Sequence, residues 1–250
     1  MKKFILASAV LLFCLSACTA AAPQHYKVRV VAEYPHDRGS YTQGLFFDGG
    51  QLYESTGQCG STTFRKVDLA TGKPVRKLDF ARKYFGEGSV FFGGKLYMLT
   101  WTNHVAFIYD AQTLKYEKTC AYPREGWGLT TDGRQLIASD GSARLYFMDA
   151  DLKVQRTLNV TMDGRPVRLL NELEWIDGKI WANVYTTDMI VIINPQSGAV
   201  EGVVDCTGLL PEKLRRHDTD VLNGIAVLDG RIFLTGKNWP KLYEIELIKK

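Results

Sequence analysis

The chain has little of what usually announces a reactive centre. It holds four histidines in 250 residues, His25, His36, His104 and His217, and no two stand at a metal-ligand spacing, which argues against a histidine-based metal site. Of five cysteines none forms a C-x-x-C pair and none neighbours a histidine, so zinc and catalytic-thiol readings are poor. Neither sign of charge dominates. The 31 basic and 27 acidic side chains leave +4, too small and too evenly spread for a nucleic-acid surface. Helical periodicity of useful length is missing, and no apolar run beyond the first residues approaches membrane-spanning length. Aromatic residues at 12% and 23 glycines instead favour an all-β chain with many tight turns.

The first segment reads as an address. Lys2 and Lys3 precede an apolar run, Phe4 to Leu15, too short to span a bilayer. Leu15-Ser16-Ala17-Cys18 then resembles the end of a bacterial lipoprotein signal. That pattern implies removal of residues 1–17, acylation of Cys18, a tether over 18–26 and a body over 27–250. It also implies export to the bacterial cell envelope, facing the periplasm, with a membrane as a partner through the lipid anchor. The alternative is a plain signal cut near Ala20 to Ala22, which discards Cys18. Cys59, Cys120 and Cys206 remain in the body. Export permits disulfides, and the odd count leaves either free thiols or one bridge and one thiol.

The body repeats. Five segments run from a polar or aromatic residue through a Gly-rich turn into an alternating apolar strand. The strands open at Leu52, Leu96, Leu136, Ile180 and Ile232, spaced by 44, 40, 44 and 52 residues. The turns before them are Gly-Gly or Asp-Gly pairs, which accept the positive φ of two-residue hairpin loops. A second strand-turn-strand signal follows the first four, as in Val67-Asp68-Leu69-Ala70-Thr71-Gly72 and Ile193-Asn194-Pro195-Gln196-Ser197-Gly198. Two hairpins per repeat of about 40–50 residues describe a blade of a β-propeller, and five repeats predict five blades. The fifth ends one strand short, at Leu242 to Leu247. Val28 to Glu33 has no hairpin partner and is expected to supply that strand and close the ring. Pro211 to Asp220 reads as a loop with one helical turn.

The repeat also locates a pocket. Nine residues before the five openings stand Gln43, Glu87, Trp127, Asn171 and Asn223; five residues after them stand Gly57, Trp101, Gly141, Tyr185 and Lys237. These positions are expected to be cross-strand neighbours at one mouth of the ring. The third turn falls one residue early, which leaves Trp127 open to displacement by one position. Polar propeller mouths are often merely hydrated. Here one carboxylate, one amine, three amides and three aromatics converge, which is a pocket's composition. Gly86 and Gly88 flank Glu87 and permit close backbone approach. A lone carboxylate beside indoles has a raised pKa and can give and take protons near neutrality; the competing view is a glutamate held ionised by Lys237. Ser139-Asp140-Gly141-Ser142 lacks a nucleophile's context and reads as a turn.

Tyr41-Thr42-Gln43-Gly44-Leu45, Phe85-Gly86-Glu87-Gly88, Leu99-Thr100-Trp101, Glu125-Gly126-Trp127-Gly128-Leu129, Ser139-Asp140-Gly141-Ser142, Asn171-Glu172-Leu173-Glu174, Ala182-Asn183-Val184, Val221-Leu222-Asn223-Gly224-Ile225-Ala226 and Thr235-Gly236-Lys237-Asn238-Trp239-Pro240 together resemble the glutamine cyclotransferases of plant and bacterial type. The likeness runs from about Tyr34 to the C-terminus in the family's order. It implies a five-bladed propeller that converts the N-terminal glutamine of a peptide or protein to pyroglutamate and releases ammonia. By resemblance the reaction falls to Glu87, Gln43, Asn171 and Lys237, and substrate binding to Tyr41, Trp101, Trp127 and Tyr185. No cofactor and no catalytic metal are implied; a structural calcium stays open. Tyr41 stands where Phe is expected. Tyr185 stands where the family often has Trp, which makes the wall smaller and adds a hydroxyl. The expected partners are Gln-initiated peptides, with no nucleic acid and a monomeric chain. Two other classes compete: a non-catalytic envelope scaffold or binding module whose mouth holds a partner's strand, and a hydrolase, which dry aromatic walls disfavour.

Overall fold

The computed structural model describes residues 22–250, so Cys18 and the leader lie outside the described residues. Strand β1 (Gln24–Pro35) opens the chain and begins within the stretch expected to be a tether. The first sheet is β2 (Thr42–Asp48), β3 (Gln51–Thr56), β4 (Thr63–Val67) and β5 (Pro74–Asp79). The second is β6 (Gly86–Phe92), β7 (Lys95–Thr100), β8 (Val105–Asp110) and β9 (Tyr116–Ala121). The third is β10 (Leu129–Thr131), β11 (Leu136–Ser139), β12 (Arg144–Met148) and β13 (Val154–Asn159). A two-stranded ribbon, β14 (Thr161–Met162) with β15 (Arg165–Pro166), was not foreseen in the sequence. The rest of the chain forms β16 (Leu170–Ile176), β17 (Lys179–Val184), β18 (Met189–Ile193), β19 (Val200–Asp205), β20 (Leu222–Leu228), β21 (Arg231–Gly236) and β22 (Lys241–Lys249). These join with β1 in one eight-stranded sheet of order β16-β17-β18-β19-β1-β22-β21-β20.

The N-terminal strand behaves as a clasp. It runs antiparallel to β22 from Tyr26 opposite Lys249 to Pro35 opposite Lys241. Its first residues also pair in parallel with β19, Gln24 opposite Gly202 to Lys27 opposite Asp205. The sequence foresaw the first pairing and not the second. Together they satisfy edge groups of two strands at once. The free outer strands β5, β9 and β13 carry Arg76 and Lys77, Glu117 and Lys118, and Arg156 instead, and are largely exposed. Charge on an open edge discourages pairing with another chain.

The first strand of each group faces inward. These strands touch in the order β2, β6, β10, β16, β20 and back to β2. Their starts are buried on both faces, and the apolar core lies between sheets, as where Phe46, Phe64, Leu96 and Met98 meet. The hairpin turns follow the expected chemistry. Gly49 and Gly50, Gly93 and Gly94, Asp177 and Gly178, and Asp229 and Gly230 all have positive φ. The third turn differs: only Gly133 is left-handed, and Asp132 Oδ1 caps the longer loop by accepting from Arg134 N and Gln135 N at 2.8 Å each. Glu212–Leu214 forms the single 3-10 turn expected in the charged loop. Cys59, Cys120 and Cys206 are all free thiols, and no described helix is long and apolar enough to cross a membrane.

Two further carboxylates are buried on β16. Glu172 accepts Leu45 N from β2 at 3.2 Å and Ile225 N from β20 at 2.9 Å, so it ties three inner strands. Burial and the neighbouring Glu174 push its carboxyl well above the usual range, against those two bonds. Burial lifts Glu174 to about 8. A carboxyl raised in the folded state stays protonated there while the unfolded chain ionises. Stability is therefore full below about 4.5 and falls as pH rises towards 8. Wild-type protein is expected to lose unfolding free energy between pH 6 and pH 9, and Glu174→Gln to lose less. Urea denaturation midpoints at the two pH values check this; equal losses would contradict it.

Candidate active site

The five inner strands do not simply begin at the mouth; four of them are bulged there. Thr42 pairs with Thr56 but Gly44 with Ser55, and Gly86 with Thr100 but Ser89 with Met98. Leu170 pairs with Val184 but Leu173 with Ala182, and Leu222 with Gly236 but Ile225 with Leu234. In each case one extra residue is inserted, and Gln43, Glu87, Asn171 and Asn223 lie within the insertions. A bulge breaks the strict alternation of side chains and re-aims one of them. The expected direct pairing of these residues with Gly57, Trp101, Tyr185 and Lys237 is thereby corrected. The residues opposite the latter four sit two places earlier: Gly57 N donates to Tyr41 O, Trp101 N to Phe85 O, Tyr185 N to Leu169 O and Lys237 N to Val221 O.

This register gathers the site. Tyr41, Gln43, Phe85, Glu87, Trp101, Trp127, Asn171, Tyr185 and Lys237 line one cavity of about 160 Å³. All eight residues singled out from the sequence are among them. Asn223 stands behind the wall, where its Nδ2 donates to Gln43 Oε1 at 3.2 Å and to Thr42 O at 3.0 Å. Gln43 Nε2 in turn donates to Glu87 Oε1 at 3.1 Å. The two mouth positions held by glycine make room for rings. A Cβ on Gly57 would come within 2.4 Å of the Phe85 ring, and one on Gly141 within 2.6 Å of the Trp127 indole.

Sequence reasoning missed Phe85 as a wall and Glu125 as a partner of the walls. Both stand eleven residues before their strand openings, as Tyr41 does, so the same offset taken two residues earlier collects them. Glu125 Oε2 accepts the indole N–H of Trp101 at 2.8 Å and that of Trp127 at 3.0 Å.

The electrostatics set Glu87 apart. Its side chain is 4% exposed. Burial pushes its carboxyl well above the ordinary range; the Lys237 charge pulls it back and the Glu125 charge pushes it further up. The view that Lys237 holds it ionised is not what the balance gives. The Lys237 amine, also buried, is pulled below its ordinary value by desolvation, against the opposing charges of Glu87 and Asp220. Its Nζ sits 4.7 Å from the Tyr41 ring centre and 4.8 Å from that of Tyr185. Tyr41 Oη donates to Asp220 Oδ2 at 2.7 Å; burial and that bond raise its hydroxyl strongly. Asn171 Oδ1 is buried with no hydrogen-bond partner. No described cluster of three or more His, Cys, Asp or Glu residues is arranged to hold a metal ion. The site thus offers a protonatable carboxyl, a buried cation, an unpaired amide acceptor and aromatic walls.

A family profile described as glutamine cyclotransferase matches residues 5–247. A glutaminyl-peptide cyclotransferase of Arabidopsis thaliana is 44% identical over 230 residues, covering 88% of this chain and 71% of the plant protein. The crystal structure of Myxococcus xanthus glutaminyl cyclase superposes with a TM-score of 0.85 at 36% identity, over 91% of this chain and 99% of that one. A structure of BamB from Moraxella catarrhalis matches at 12% identity and a TM-score of 0.49, over 88% of this chain and 97% of that one, a likeness too slight to carry argument.

Gly141 has φ +75 and the Trp127 indole where a Cβ would stand, so Gly141→Ala is expected to cost about 1–3 kcal/mol through strain and overpacking. Thermal unfolding checks this; an unchanged midpoint would contradict the wall geometry.

Proposed function

The chain belongs to the glutamine cyclotransferase family, and on that premise we propose how its cavity performs glutaminyl-peptide cyclotransfer, the conversion of an N-terminal glutamine to pyroglutamate. The substrate's α-amine attacks its own side-chain carboxamide carbon, a C–N bond forms, the bond to the amide nitrogen breaks, and ammonia leaves. One proton must pass from the attacking nitrogen to the departing one. A single protonated carboxyl can give its proton to the departing nitrogen and take the attacking nitrogen's in exchange, provided its pKa lies near that of the amine, which is about 8 in a free chain terminus. The observation that carries this reading is the burial of Glu87, which moves its carboxyl in that direction. Gln43 holds Glu87 in place through its Nε2. One of its two amide hydrogens is thus engaged, and Lys237 is the charge that meets the developing oxyanion. The orphaned Oδ1 of Asn171 suits an N–H of the substrate. Tyr41, Phe85, Trp101, Trp127 and Tyr185 restrict the flexible glutamine so that amine and carbonyl meet, which lowers the entropic part of the barrier.

We read the architecture as a five-bladed propeller: three four-stranded blades, a fourth of β16–β19, and a fifth of β20–β22 completed by β1. The cyclic contact of the inner strands supports this. So does the eight-stranded sheet, whose two halves meet only where the first residues of β1 lie beside β19. We also propose, from the leader's residue pattern, a lipid anchor at Cys18 and an envelope location. Cys18→Ser is expected to move the protein from the membrane to the soluble fraction, and an unchanged distribution would contradict the anchor.

Glu87→Gln is expected to fold normally and to release ammonia from a Gln-initiated peptide at least about a hundredfold more slowly. A scaffold that only binds a partner at its mouth would show no such activity to lose.

A further inference from the structure

The cavity wall closes on itself. Tyr41 packs edge-on against Phe85 at 6.1 Å between ring centres, and Phe85 against Trp101 at 5.5 Å. Trp127 packs edge-on against Tyr185 at 5.5 Å. These are two separate aromatic runs. The Lys237 amine bridges them on one side, between Tyr185 and Tyr41. Glu125 bridges them on the other, with both indole N–H groups on one oxygen. The result is a collar of five rings with one cationic and one anionic clasp.

Resting on the cyclotransferase reading, we infer that Glu125 is a positioning residue of the reaction, whose carboxylate locks Trp101 and Trp127 together and so completes the collar that folds the substrate glutamine. The two indoles come from different sheets: Trp101 follows β7 and Trp127 precedes β10. Trp101 is 41% exposed, too open for burial alone to fix its ring. A charge-assisted bond to a carboxylate supplies what packing does not. Two N–H groups converging on a single oxygen tie the rings to each other as well as to the loop.

A misplaced wall leaves substrate able to enter but less often folded for attack, so the loss belongs in kcat more than in KM. The experiment compares wild type, Glu125→Ala and Glu125→Gln on one Gln-initiated peptide, with the indole N–H signals of the five tryptophans followed by NMR. Glu125→Ala is expected to lose about ten- to a hundredfold in kcat with KM within about threefold, and to move the Trp101 and Trp127 signals while leaving the other three in place. Glu125→Gln keeps a carbonyl oxygen where the carboxylate stood and is expected to recover most of the loss. Wild-type kcat in Glu125→Ala, or unmoved indole signals, would overturn the inference. So would a Glu125→Gln variant as impaired as the alanine, since the charge would then act on substrate directly. Should Glu125→Ala fail to fold, Trp101→Phe and Trp127→Phe keep a ring and remove the N–H; wild-type kcat in both would equally overturn it. A wild-type protein that releases no ammonia would sink the cyclotransferase reading instead, while the NMR signals still decide the clasp.

Discussion

The structure is organised around the cost of burying one carboxyl. Glu87 sits at the start of β6, nearly out of reach of water. An ionised carboxylate there is expensive to hold, so burial favours the protonated form. Everything nearby manages that cost. Gln43 offers one hydrogen bond and is itself held by Asn223. Lys237 supplies an opposite charge, but its amine lies between two tyrosine rings. Gly88 lets β6 approach the next inner strand, with its N–H 2.7 Å from Trp127 O, where a Cβ would lie 2.4 Å from Leu129 N. A residue larger than glycine at position 88 would force these two strands apart.

The bulges convert a structural repeat into a site. A regular inner strand alternates its side chains between its two faces. One extra residue at the mouth of β2, β6, β16 and β20 breaks that alternation where the cavity forms. The same device used four times places an amide, an acid and two further amides at one end of the cycle of inner strands. Each ring needed space in turn, which Gly57 and Gly141 leave open.

Most of this was legible in the sequence because the repeat is strong. The turns at Gly49-Gly50 and Asp177-Gly178 have the backbone their residues demand, and counting from them named the residues that meet. What stayed hidden has a physical reason in each case. A bulge shifts register by one without changing composition, and the regular pairing puts Gln43 opposite Thr56 and not Gly57; the two offsets together make Tyr41 the partner of Gly57. Phe85 and Glu125 were passed over because the offset was counted to the wrong partner. The parallel pairing of β1 with β19 leaves no hydrophobic signature, and the β14–β15 ribbon is too short for one. The smaller wall at Tyr185 proved to have a second use: it faces Lys237 as well as Trp127.

The central claim is that burial holds the Glu87 carboxyl well above the ordinary carboxylate range in the resting protein. Carbon-13 NMR of glutamate-labelled protein, with the Glu87 carboxyl assigned by its loss in the glutamine variant, measures this without substrate. The account predicts a carboxyl shift that titrates with a midpoint well above 4.5. A Glu87 carboxyl already ionised at pH 6, with an ordinary midpoint, would contradict it.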